Sequence, residues 1–183
     1  MNTANKLTLF RVVLVPVFMA LLMIDNTACK WAALGVFVLA SLTDMLDGYI
    51  ARSRNQITTF GKFAAPLADK ILTTAAVLVF LGNGTYNAVG GTIALMIIMT
   101  REFMVAGVRL VAVGEGEVIA ANIWGKLKTV AQMIAIIITI ILTAAVPNSG
   151  KANIIIEILL WVTVAFTVIS GIDYLCRNLK FMK

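Results

Sequence analysis

WAALGVFVLASLTDMLDGYIARSRN, residues 31–55, runs through apolar side chains as far as Leu42 and then meets Asp44, Asp47, Arg52 and Arg54. Its first half has the composition of a helix immersed in hydrocarbon. Its second half places two short carboxylates and two guanidinium groups where that helix would still be leaving the oil. A fold that accepts this segment must shelter those charges at one end of an apolar bundle.

The rest of the chain has the same character. Of 183 residues, 61% are hydrophobic and 13% charged, with a mean hydropathy of +0.97. Soluble domains hold about 45–50% apolar and about 25% charged residues, so the composition excludes an ordinary soluble domain. Six apolar segments follow one another at about 7–25, 31–55, 62–82, 88–112, 120–146 and 153–178. They are separated by turn chemistry such as GNGTYNAVGG and VPNSGK. Each approaches the ~20 residues that a helix needs to cross a bilayer. The expected architecture is therefore all-α: one membrane domain over residues 1–183, a six-transmembrane-helix bundle with a cytoplasm-facing polar active-site cavity.

With both termini cytoplasmic, every Lys and Arg except Lys30 and Lys151 falls on the cytoplasmic side, as the positive-inside rule requires. The excess of basic residues then lies against an anionic leaflet. It is no argument for nucleic acid, because no basic module with interleaved aromatics is present. Cys29 and Cys176 would lie at opposite faces, which disfavours a disulfide between them.

Charges within the segments occupy alternating ends of alternating helices, and hence one side. They include Arg11, Asp44, Asp47, Lys62, Asp69, Lys70, Arg101, Glu102, Arg109, Lys126, Lys128 and Asp173. The outer half reads as apolar. Long side chains such as Arg54, Arg177, Lys180 and Lys183 can snorkel to the interface. Asp44, Asp47 and Asp69 are too short for that, and such groups face a bundle interior or a water-filled cavity. A cation transporter is disfavoured, since a transport path must carry polar groups through both halves.

Asp44 and Asp47 are three residues apart and share a helical face. Two neighbouring carboxylates repel unless a cation compensates, and hard oxygen donors suit Mg²⁺ or Mn²⁺. Gly48 and Ala51 leave a bare ridge for close approach of a ligand, and Arg52 offers a fork suited to phosphate. The facing segment FGKFAAPLADK, residues 60–70, brings Gly61, Asp69 and a Pro66 expected in the first helical turn. Asp69 can complete the carboxylate cluster. Together these groups suggest a metal-bound diphosphate.

The two segments form D-x-x-D-G-x-x-A-R, eight residues, then G-x-x-x-A-x-x-x-D. This pattern resembles the signature of the CDP-alcohol phosphotransferase family, and the six-segment layout extends the likeness over nearly the whole chain. NKLTLFRVVLVPVF, TREFMVAGVR and WGKLKTVAQM look like the bacterial branch that uses sn-glycerol 3-phosphate as acceptor. The resemblance implies transfer of a phosphatidyl group from CDP-diacylglycerol to glycerol 3-phosphate, giving phosphatidylglycerol phosphate and CMP in phospholipid biosynthesis.

It further implies two divalent ions on Asp44, Asp47 and Asp69, with Asp69 as a metal ligand or as the general base. CDP would lie against Asp44, Gly48, Ala51, Arg52 and Gly61. The acceptor phosphate would meet Arg11, Arg101, Arg109 and Lys126, with Thr8 as a further hydrogen-bonding group whose more ordinary role is an N-cap. Glu102 is expected to brace an arginine, and Asp173 competes as a partner for Arg101. A homodimer and a multi-pass location in the bacterial cytoplasmic (inner) membrane, among membrane lipids, are expected on the same ground.

One position departs from the signature. The family's third aspartate, a metal ligand, falls at Ala65. Because the rest of the pattern is intact, Ala65 reads as an introduced change in an otherwise active enzyme, and it puts the activity of this chain in question. The alternatives are the same chemistry with another acceptor, such as inositol phosphate, serine or a second phospholipid, and a pseudoenzyme that binds substrate without turnover.

Overall fold

The computed structural model describes residues 3–53, 59–114, 123–147 and 149–178. Within these, the side chains of residues 3–6, 8, 44–53, 59–69 and 113 lie outside the description. Arg54, Glu115, Glu117, Lys180 and Lys183 lie outside the described residues altogether. Six helices make up the described chain: α1 Thr3–Met23, α2 Thr27–Ser53, α3 Thr59–Gly82, α4 Ala88–Gly114, α5 Ile123–Ala145 and α6 Gly150–Arg177.

Local chemistry sets several of their ends. Asn26 Oδ1 accepts the Ala28 N–H at 2.8 Å and starts α2. Asn87 Oδ1 accepts the N–H groups of Val89 and Gly90 at 3.0 and 3.1 Å and starts α4. These are helix N-caps, in which a side-chain oxygen satisfies amides that have no intrahelical partner. Between α3 and α4 the chain reverses at Gly84, whose φ of +74° suits a residue without a Cβ. Because α3 begins at Thr59, Pro66 lies well inside the helix and not in its first turn as expected.

The helices alternate in direction, as their side-chain contacts show. At one end Lys30 Nζ reaches the Thr143 carbonyl at 3.5 Å, and the Asn87 N–H donates to Glu157 Oε1 at 2.6 Å. At the other end Arg11 meets Ala40, and Glu102 meets Lys70 and Lys128. α1 packs on α2 and α3, α2 also on α5, α5 on α6, and α4 on α6 and α3. The core between the ends is built from Phe18, Phe37, Phe80, Leu22, Leu72, Ile136, Ile140 and Ile156. The Phe18 and Phe37 rings lie 5.6 Å apart.

Large apolar side chains also cover the outside of every helix, among them Leu9, Leu39, Leu78, Phe103, Val130 and Ile158. Such a surface has no place in water. α5 and α6 are long and apolar enough to cross a membrane by length and composition. Several threonine hydroxyls inside the bundle are satisfied within their own helices. Thr139 donates to the Ala135 carbonyl and Thr167 to the Thr163 carbonyl, each at 2.7 Å, as an apolar surrounding demands.

The end opposite the charged cluster is more polar than the sequence suggests. A cavity of about 290 Å³ there is lined by Asp25, Lys30, Asn83, Thr85, Thr143 and Asn153 among others. Glu157, inside the last apolar run, also belongs to this end. Beside it Tyr86 is buried, its ring against Phe80 with centroids 5.2 Å apart. Burial pushes the Tyr86 hydroxyl up to about 12; a hydrogen bond with Thr139 opposes the shift, and the Glu157 carboxylate adds to it.

A raised pKa means that the folded chain keeps a proton that the unfolded chain releases. The contribution is whole below pH ~10 and is lost as pH climbs toward ~12. Unfolding temperatures measured from pH 9 to 12 are expected to fall over that window. In Tyr86→Phe this part of the fall disappears.

Candidate functional site

Glu102 is the hub of the cationic end. It sits on α4, and its carboxylate takes three partners from three helices. Lys128 Nζ on α5 lies 2.8 Å from Oε1, Arg101 Nη1 on α4 lies 3.0 Å from the same oxygen, and Lys70 Nζ on α3 lies 3.4 Å from Oε2. Lys70 also donates to the Glu102 backbone carbonyl at 3.3 Å. Lys128 is 4% exposed and the Glu102 side chain 15%, so these are largely desolvated charges. Three cations against one carboxylate leave these four side chains with an excess of two positive charges. The void beside them, lined by Thr73, Thr74, Thr129 and Gln132 among others, measures only about 20 Å³.

The expected acceptor-site residues do not all converge on this cluster. Arg101 joins it through Glu102, which braces it; Asp173, the alternative partner, instead pairs with Arg177 at 2.9 Å. Arg109 is exposed, with its guanidinium 5.7 Å from the ring centre of Tyr174 on α6. Arg11 is fully buried and donates from Nε to the Ala40 carbonyl at 3.2 Å, tying α1 to α2. Lys126 is exposed, whereas Lys128 is buried.

Lys70 and Lys128 are among the charges that the sequence gathers on the cytoplasmic side, but not among its acceptor-site candidates. A signal for Lys128 was present. Lys128, Gln132, Ala135, Ile136, Thr139 and Ile140 form one buried stripe of α5. Gln132, four residues after Lys128 in an apolar run, marks the inward polar face. Lys126 shares the opposite, exposed face with Val130 and Ile134.

Asp44, Asp47, Gly48, Ala51 and Arg52 occupy the last turns of α2, and Gly61, Ala65 and Asp69 the first half of α3. α2 and α3 are in contact and run in opposite directions. These two stretches therefore share the end of the bundle that holds Glu102. Their side chains, and that of Thr8, lie outside the description. Among the described residues no group of three or more carboxylate, thiol or imidazole side chains could hold a metal ion.

The sequence profile of CDP-alcohol phosphatidyltransferase matches residues 1–169. This chain belongs to the CDP-alcohol phosphatidyltransferase family. A Bacillus subtilis relative named CDP-diacylglycerol–glycerol-3-phosphate 3-phosphatidyltransferase is 39% identical, over 100% of this chain and 97% of its own length. A Rickettsia typhi protein of the same name is 36% identical over 94% of each chain. A Mycobacterium tuberculosis relative, named a probable phosphatidylglycerophosphate synthase, is 36% identical over 98% of this chain and 82% of its own.

Membership gives the shared end of α2 and α3 its significance. The two stretches that resemble the family signature lie at the end of the bundle that also holds the cations of α3, α4 and α5.

Proposed function

We propose that this chain transfers a phosphatidyl group from CDP-diacylglycerol to sn-glycerol 3-phosphate, forming phosphatidylglycerol phosphate and CMP. The observation that carries this reading is that the stretches of α2 and α3 that resemble the signature lie at the same end of the bundle as Lys70, Arg101 and Lys128. Full-length relatives named for this reaction support it. The setting proposed is a single six-span domain in the bacterial cytoplasmic membrane, with both termini and the polar cavity facing the cytoplasm. Two copies would form a homodimer.

The carboxylates of Asp44, Asp47 and Asp69 form a hard-oxygen donor set that fits Mg²⁺ or Mn²⁺. A bound divalent ion supplies charge neutralisation around the diphosphate. Gly48 and Ala51 let the CDP moiety approach the helix backbone, Arg52 and Gly61 border it, and Asp44 contacts it as well as the ion. Asp69 takes the proton from the free primary hydroxyl of glycerol 3-phosphate. That oxygen bonds to the phosphorus carrying diacylglycerol while the bond from this phosphorus to the CMP oxygen breaks. Positioning and charge neutralisation carry most of such a step.

Arg101, with Arg11, Arg109, Lys126 and Thr8 as further candidates, holds the acceptor's phosphate dianion. Ala65 favours a second reading, in which the chain binds both substrates and turns over slowly or not at all.

Competition separates the acceptors. With CDP-diacylglycerol and Mn²⁺ present, CMP release is expected to depend on glycerol 3-phosphate. Neither inositol phosphate nor serine is expected to replace it. Release driven equally well by inositol phosphate would overturn the acceptor assignment.

A further inference from the structure

Arg101 meets α6 at Gly171, a buried position. A Cβ placed on Gly171 would lie 3.0 Å from Arg101 Cγ and 4.0 Å from its Cβ. The stem of the arginine thus occupies the space that any other residue's side chain would need. From there Nη1 donates to Glu102, while Nε is buried with no hydrogen-bond partner. Buried polar groups are nearly always paired. With Nε closed off, the fork can meet an anionic oxygen only along its 11% exposed edge, and the excess of positive charge in the Glu102 cluster favours one there. Phosphate monoesters supply such oxygens in the geometry that a guanidinium prefers.

We infer that Gly171 is a positioning residue for phosphate recognition. Its missing side chain lets the Arg101 stem lie against α6, which fixes the guanidinium for a phosphate monoester while Nη1 stays on Glu102. This rests on the phosphatidyl-transfer reading, which supplies a phosphate-bearing acceptor. Alanine at residue 171 adds a methyl group and no charge, so an effect on anion affinity must come through the placement of Arg101. Gly107, on the same helix as Arg101, has nothing within 4 Å of a Cβ placed on it, and Gly107→Ala is the matched control.

The test uses the full chain in detergent micelles with Mg²⁺, titrated separately with glycerol 3-phosphate and with CDP. Gly171→Ala is expected to weaken glycerol 3-phosphate binding about tenfold, the scale of one hydrogen bond to a charged group. CDP binding should stay within about twofold of the parent, since no contact with CDP is disturbed. Gly107→Ala is expected to change neither.

Gly171→Ala should also lower the unfolding temperature, and that drop should vanish when Arg101 is already alanine. Equal weakening of both ligands, or a drop that persists in the Arg101→Ala background, would overturn the inference. If Gly171→Ala does not fold, the double variant decides: folding regained supports the contact, continued failure overturns it. Parent protein that binds CDP but not glycerol 3-phosphate would overturn the acceptor assignment, and with it the ligand proposed for Arg101.

Discussion

Ala65→Asp is expected to raise CMP release about 10–100-fold, the range by which losing a group that supports a metal site lowers activity. Residues 65 and 69 are four apart on α3, a spacing that places them on one helical face. Asp44 and Asp47 form the corresponding pair on α2. With alanine at 65, two divalent ions would have to share three carboxylates, and one ion is held less firmly. Initial rates at saturating donor and acceptor, taken across a range of Mn²⁺ concentrations, read the effect directly. The variant should reach its maximum at lower Mn²⁺ than the parent. If the two proteins show the same rate and the same metal dependence, residue 65 is not a ligand.

Glu102→Ala is expected to cost about 3–5 kcal/mol of stability, the scale found when one partner of a buried ion pair is removed. The reason is that Lys70, Arg101 and Lys128 then face one another without their shared carboxylate. Lys70 is partly exposed and can turn to solvent; Lys128 cannot. Hence Lys128→Ala in the Glu102→Ala background should recover part of the loss, and thermal unfolding of the two single variants and the double variant measures that coupling. Additive losses would show that the cluster is not energetically connected.

How much of this was legible in the sequence follows from what each residue's partners are. Six apolar segments were visible because length and hydropathy are local properties. So was the gathering of charge at one end, which needs only alternation of direction. The partner of Arg101 was not visible, because Glu102 and Asp173 are both acidic and within reach until the packing of α4 against α3, α5 and α6 is known. Arg101 and Arg109 look alike in sequence, yet one is held in the Glu102 cluster and the other stacks on Tyr174. The choice between Lys126 and Lys128 was decided by helical phase, which Gln132 could have supplied. Glu157 was read as part of an apolar span. Its bond to the Asn87 amide depends on a turn between two other helices, and no local pattern encodes that.

The central claim is that the polar end of this bundle joins a phosphatidyl group to glycerol 3-phosphate. Its most direct test is to reconstitute the Ala65→Asp chain in lipid vesicles with CDP-diacylglycerol, glycerol 3-phosphate and Mg²⁺, and to quantify the lipid product and CMP by mass spectrometry. Phosphatidylglycerol phosphate and CMP formed in equal amounts, and only when both substrates are present, is the predicted result. CMP appearing without the lipid product, or no turnover by protein shown to be folded, would contradict it.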